Sequence, residues 1–192
     1  MSGPDVATKT KRATALPLDE RRSMIVAATL PLLVEYGDRV TTKQIAEAAG
    51  IAEGTIFRAF GDKDEVIAAA IESALDPEPL ELALSAIPAD LAFEEGLAAA
   101  VVLIQQRVMD VWLLVSSVGT RFHEMTRRPM TDSDALVRLF ESHRAQITVE
   151  PVVAARLLRA LTLSTTHPML AGEPKSPDEL VHLFLHGVGG EA

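Results

Sequence analysis

The chain has 192 residues, a formal net charge of −9, no cysteine and an apolar fraction of 48%. That length buries a substantial core in one large unit or two small ones. The lack of cysteine excludes disulfides, thiolate zinc sites and cysteine nucleophiles. Ala and Leu dominate the apolar residues while β-branched and aromatic runs are scarce, which points to helices. The charge is uneven: nine Lys and Arg stand against eight Asp and Glu up to residue 63, and nine against nineteen after it. An acidic body with a near-neutral head fits a protein whose N-terminal part alone meets a polyanion; a generic acidic cytosolic surface is the alternative.

Residues 1–17 read as a flexible polar arm carrying Lys9, Lys11 and Arg12, without the apolar stretch of a secretory signal. The segment "LDERRSMIVAATLPLLVEYG" follows as a helix, with Asp19 as its expected cap, Ile25, Ala28, Leu32 and Leu33 at helical spacing, and Gly37 as its stop. Pro31 lies inside it, deletes one backbone hydrogen bond and is expected to bend it. Next, "TTKQIAEAAG" has Thr41 or Thr42 as N-cap and Gly50 as terminator. "AEGTIFRAF" is a second short helix with Ile56 and Phe60 inward, and "GDKDEV" restarts a longer helix to about Leu75, with Asp62 as cap. "DPEPLE" reads as a break.

The remainder reads as further helices. "ADLAFEEGLAAAVVLIQQRVMDVWLLVSSVG" is one long segment or two, and Gln105, Gln106, Arg107 and Asp110 interrupt it, so a buried helix explains it better than a membrane span. "TRFHEMTRR", "SDALVRLFESHRAQI", "EPVVAARLLRALTLSTTH" and "SPDELVHLFLHGV" follow. The last has Ser176 as cap, Pro177 in the first turn and Glu179 at capping-box spacing. No strand pair or internal repeat is evident. The expected architecture is all-α with about nine helices.

Two short helices around one glycine turn make a helix-turn-helix, whose second helix can enter a DNA major groove. With Ile56 and Phe60 inward, Glu53, Thr55, Phe57 and Arg58 project outward or sideways. Gly54 permits close approach at the helix start. Thr55 and Arg58 are hydrogen-bonding types. Lys63 joins an ammonium to the exposed N–H groups of a helix start, a natural phosphate clamp, and Thr42 offers a hydroxyl at the preceding helix start. Lys43 adds a cation beside it.

The stretch "TTKQIAEAAGIAEGTIFRAFGDKDEVIAAAI" resembles the DNA-binding domain of the tetracycline-repressor (TetR/AcrR) family of bacterial transcriptional regulators. Ile45, Ala46, Ala49, Gly50, Gly54, Thr55, Ile56, Phe57, Phe60, Lys63 and Val66 match that family's pattern across roughly residues 20–70. Phe57 replaces a frequent tyrosine, Ala59 a frequent histidine, and Ala52 and Glu53 stand where serine and lysine are common. Glu53 puts a carboxylate near a polyanion, unfavourable unless it accepts from a cytosine amino group or turns away.

The resemblance implies a three-helix, homeodomain-like reading domain over residues 18–64 and a ligand-binding and dimerisation domain over 65–192. It also implies a cytoplasmic homodimer, a palindromic operator in double-stranded DNA and a small-molecule effector that releases a repressor. DNA contacts are then expected from Thr42, Lys43, Gly54, Thr55, Phe57, Arg58 and Lys63, with the basic arm as a minor-groove element.

Val153, Leu157, Leu161 and Leu163, with Leu180, Leu183, Phe184 and Val188, form stripes on the last two helices that suit a two-fold four-helix interface or ordinary core packing. A largely apolar effector pocket is expected around Trp112, with Met109, Val108, Phe122, His123 and Met125 nearby in sequence and Phe93 and Leu97 completing it; core filling is the alternative for each. His182 and His186, four apart, lack a third ligand, so no metal or cofactor is expected. Ser116 and Ser117 lack the strand-borne elbow of a hydrolase, so no catalytic residue is assigned. The alternative function is an all-α small-molecule-binding protein or enzyme whose helix-turn-helix is structural only.

Overall fold

The computed structural model describes residues 17–119 and 131–187. Among them are nine α-helices: α1 (Leu18–Tyr36), α2 (Thr42–Ala48), α3 (Glu53–Ala59), α4 (Lys63–Ala74), α5 (Glu78–Ser85), α6 (Phe93–Ser117), α7 (Asp134–Ser142), α8 (Pro151–Thr166) and α9 (Pro177–His186). Two 3-10 turns, Gly37–Arg39 and Arg144–Gln146, complete the described elements, and no strand occurs among them. The all-α architecture is as expected, but its helices are not quite the expected ones. The helix read over "TRFHEMTRR" falls in residues 120–130, outside the described residues, as do the basic arm and Val188.

One helix went unread. The two prolines of "DPEPLE" suggest a break, yet Pro79 falls in the first turn of α5, where a missing N–H costs no helical hydrogen bond. Asp76 caps that turn, its Oδ1 accepting from the Glu78 amide at 3.0 Å. The cap of α1 also differs. Pro17, not Asp19, occupies the N-cap position, and its carbonyl accepts from Arg21 N at 3.0 Å. Asp19 and Glu20 lie in the first turn, where carboxylates favour the helix dipole. Pro31 remains within α1. The helix expected to run to Ile147 ends at Ser142 and gives way to the second 3-10 turn.

Buried side chains fall into two clusters. The first joins α1 to α4 through Ile25, Leu33, Ile45, Ile56, Val66, Ile67 and Ile71. Each such side chain, fully buried, contributes about 1.5–3 kcal/mol of transfer free energy. The second joins α5 to α9 through Leu84, Phe93, Leu97, Leu136, Phe140, Leu158 and Leu180. Helix α6 is a single 25-residue rod that serves both: Leu97, Ala100, Val101 and Ile104 belong to the second cluster, whereas Leu114 and Val118 are buried in the first. By length and apolar composition alone α6 could cross a membrane; here it packs against α1, α5, α8 and α9.

The two ends of α1 and α6 meet closely. Ser117 Oγ donates to the Val34 carbonyl at 3.2 Å. Gly37 ends α1 at φ 61°, and a Cβ there would collide with the Ser117 carbonyl oxygen. Gly50 has a similar φ of 66° but open space around it. Gly50→Ala should therefore cost only the left-handed penalty, about 1–2 kcal/mol. Gly37→Ala should cost distinctly more, by roughly 1–3 kcal/mol of added steric strain. Urea unfolding of the two variants measures the difference.

Candidate nucleic-acid interface and the adjoining cavity

The reading unit is assembled from local signals. Thr41 is the N-cap of α2: its Oγ1 accepts from Gln44 N at 3.2 Å, and Gln44 Oε1 accepts from Thr41 N at 2.9 Å. This reciprocal pair satisfies two N–H groups that the helix start leaves open. At the other end Gly50 takes the left-handed conformation. Gly50 N donates to Glu47 O at 3.2 Å and Ile51 N to Ala46 O at 2.9 Å, the paired bonds of a Schellman turn. The chain reverses and enters α3 at Glu53.

Helix α3 buries Ile56 and Ala59, and Phe60 closes it with its ring 2% exposed. Arg22 from α1 lies over that ring, 4.6 Å from its centroid. The opposite face carries Glu53, Gly54, Phe57 and Arg58, all exposed. Phe57 is 51% exposed, a large apolar surface held out toward solvent. No hydrogen bond or ion pair engages Arg58 among the described residues. Gly54 has nothing near its missing side chain, so the start of α3 is sterically open. Thr55 is half-buried beside this face.

Three of the expected contact residues have intramolecular partners. The Thr42 hydroxyl donates to Glu53 Oε1 in a short hydrogen bond between the starts of α2 and α3. Glu53 thus turns toward α2, where the carboxylate is satisfied near two helix N-termini. Lys43 lies within 4.0 Å of Glu47, a largely exposed pair of small energetic weight. Lys63 opens α4, whose cap is Asp62: Asp62 Oδ1 accepts from Glu65 N at 2.9 Å, and Gly61 N donates to Glu65 Oε2 at 2.8 Å. The Lys63 ammonium reaches back and donates to the Asp38 carbonyl at 2.8 Å, tying α4 to the turn after α1. An ammonium has three donors, so two remain for another acceptor.

A separate cavity of about 540 Å³ opens along α6. Ile104, Arg107, Val108, Val111, Trp112 and Val115 supply one wall at helical spacing, and α8 supplies Arg159 and Leu163. Leu80, His167 and Met169 complete it, with the Trp112 and His167 rings edge to face at 4.6 Å. Of the residues expected in a pocket, Trp112 and Val108 line this one, and Met125 lies outside the described residues. Phe93 and Leu97 lie instead in the second core, Phe93 against Phe140 at 5.9 Å and His143 at 4.9 Å. Met109, half-buried on α6, is not on the wall, and Phe122 and His123 lie outside the described residues.

Arg107, Arg159 and His167 were missed. The signal for Arg107 was present: it interrupts an apolar run yet keeps the three- and four-residue spacing of Ile104, Val108 and Val111. No group of three potential metal ligands occurs among the described residues.

Residues 25–70 match the family model for bacterial regulatory proteins of the tetR family. The HTH-type transcriptional regulator HbdR of Aromatoleum sp. (strain CIB) is 36% identical over 66 residues, covering 34% of this chain and 29% of that protein. The chain thus aligns with less than a third of that curated relative. Among solved structures, a TetR/AcrR-family transcriptional regulator from Thermobifida fusca aligns over 89% of this chain and all of its own, with a TM-score of 0.58 and 22% identity. A TetR-family regulator from Mesorhizobium loti aligns over 91% of this chain and 96% of its own, with a TM-score of 0.60 and 15% identity. At these identities the structural matches speak to the fold.

The cap at Asp62 positions Lys63, so Asp62→Ala should lower stability by about 1 kcal/mol. Thermal unfolding of the variant beside the wild type reads this directly.

Proposed function

We propose that this chain, which belongs to the TetR family of bacterial regulatory proteins, is a homodimeric transcriptional regulator that a small molecule releases from a palindromic DNA operator. The observation that carries the reading is the outer face of α3. Gly54, Phe57 and Arg58 stand exposed on a short helix held by a capped, glycine-terminated α2, within the segment that matches the family. An α-helix fits a major groove about 12 Å wide. Arg58 is the residue best suited to a base edge. Lys63 and Lys43 are suited to phosphates, and Thr42 becomes so once Glu53 releases it. Residues 18–64 then serve as the reading head and 65–192 as the sensing and pairing body. Repression needs only occlusion of the operator.

The surface of α8 supports a two-fold partner. Val153 is 39% and Leu157 52% exposed there, although both belong to an apolar stripe. In a dimer through α8 and α9 that stripe would be covered, and two reading heads would face two half-sites. A route from cavity to head also exists. Arg107, on the cavity wall, donates to the Asp76 carbonyl at 3.0 Å, just beyond the end of α4. Helix α4 carries Lys63 at its other end. A ligand that shifts α6 or Arg107 therefore pulls on the helix that sets the spacing of the heads.

Fluorescence anisotropy with DNA from upstream of the coding region tests the reading. Arg58→Ala should weaken specific binding about tenfold or more, and Lys63→Ala should weaken it and flatten its salt dependence. Glu53→Ala should tighten it, by removing a like charge and freeing Thr42. Absence of specific, salt-sensitive binding, with all three variants indistinguishable from wild type, would leave the helix-turn-helix as a purely structural unit. Sedimentation equilibrium tests the dimer: Leu157→Glu should convert a dimer to monomer at micromolar concentration.

A further inference from the structure

We propose that the cavity on α6 takes an apolar molecule bearing a single carboxylate, whose head is held by Arg107 and Arg159. This rests on reading the cavity as the effector site. The walls are otherwise aliphatic and aromatic, and charged groups in such surroundings are costly unless paired. The two guanidiniums have no carboxylate in ion-pair contact among the described residues. Arg107 donates to the Asp76 carbonyl and Arg159 to the Thr131 carbonyl. A guanidinium has five N–H donors, so each retains donor capacity.

The nearest acidic side chains are already engaged elsewhere. Asp76 caps the Glu78 amide, and Asp110 accepts from Gln106 at 2.8 Å. Asp132 gives both oxygens to Arg156, at 2.7 Å each. In a chain with 27 acidic and 18 basic residues, two cavity arginines that feel Asp76, Asp110 and Asp132 at a distance but make no ion-pair contact among the described residues are a specific arrangement rather than a shortage of carboxylates. Half-burial pushes the Arg107 guanidinium below its ordinary range, against the attraction of Asp110 and Asp76. An entering anion would relieve that desolvation. His167 offers a third donor: its Nδ1 accepts from Met169 N at 3.3 Å, which leaves the proton on Nε2. Trp112, Val108, Val111 and Leu163 form the surface for the apolar body.

Trp112 is the only tryptophan in the chain, so its fluorescence reports occupancy of this cavity. Titration of the full chain, without DNA, with decanoate, decanol and decylamine tests the proposal. Decanoate should bind about tenfold or more tightly than decanol, the scale of one charge-assisted hydrogen-bond set, and decylamine more weakly than either. Arg107→Met and Arg159→Met should each reduce decanoate affinity toward that of decanol, by a factor several times larger than any change in decanol affinity.

Equal affinity for decanoate and decanol in the wild type overturns the proposal. So does a carboxylate preference that survives the double Met variant, or failure of all three probes to bind. If the variants do not fold, the wild-type comparison alone decides. A carboxylate preference without release of DNA leaves this inference standing and removes the effector role. Specific DNA binding by a chain whose cavity ignores charge does the reverse.

Discussion

Leu114 and Val118, at the C-terminal end of α6, are buried in the core of α1–α4, while the same helix forms the central wall of the other core. The rest of the molecule depends on this shared rod. An α-helix transmits displacement along its axis because its backbone hydrogen bonds resist stretching. The close approach of Gly37 to Ser117, and the Ser117–Val34 hydrogen bond, fasten the same end of α6 to α1. On the proposed function, a change at the cavity would be felt where α1 and α4 pack together. Arg107 gives a second, shorter link through the Asp76 carbonyl. A second cavity, about 480 Å³ and lined by Ala27, Pro31 and Val34 of α1, shares Arg107 and Val111 with the first. The guanidinium thus stands between two cavities on opposite sides of α6, one against α8 and one against α1.

The polar groups of the reading head are used twice. Thr42 and Glu53 bond each other across the starts of α2 and α3, and Lys63 holds the turn after α1. Each bond stabilises the unit without DNA and must be exchanged or supplemented when a phosphate arrives. Such exchange costs little for an exposed ammonium with spare donors. It costs more for Thr42, whose single hydroxyl proton is already given to a carboxylate. On the proposed function, Glu53 would act less as a repelling charge at the groove than as a competitor for Thr42. Arg58, with no partner to give up among the described residues, could turn to a base edge at the least cost on the proposed reading.

The acidic body follows a different logic. Its surface arginines Arg144 and Arg156 are matched to Glu150 and Asp132, pairs of modest energetic weight that fix local geometry. The Arg156 hydrogen bonds hold the Asp132 carboxyl below its ordinary range. Asp132 gives both oxygens to Arg156 and also attracts Arg159, one turn away on α8, which faces the cavity without an ion-pair contact among the described residues. Surface pairing and cavity chemistry are thus linked through one carboxylate.

Most of the fold was legible in residue order because helix ends and periodicities are local. Asp62, Ser176 and Gly37 mark termini by chemistry acting over three or four residues, and Val66, Ile67, Ala70 and Ile71 recur at the spacing of one buried helix face. The miss at α5 has the same local origin, since proline reads as a breaker unless its position in the first turn is known. The outer face of α3 was legible for the same reason: with Ile56 and Phe60 inward, Phe57 and Arg58 must point out. What the sequence by itself determined was most of the helices and the apolar face of each, α5 excepted. Only the tertiary structure decided that Glu53 takes Thr42, that Phe93 and Leu97 belong to the core, and that Arg107 and Arg159 meet in one cavity. Those outcomes turn on distances between residues 11 to more than 50 positions apart, which helical spacing does not encode.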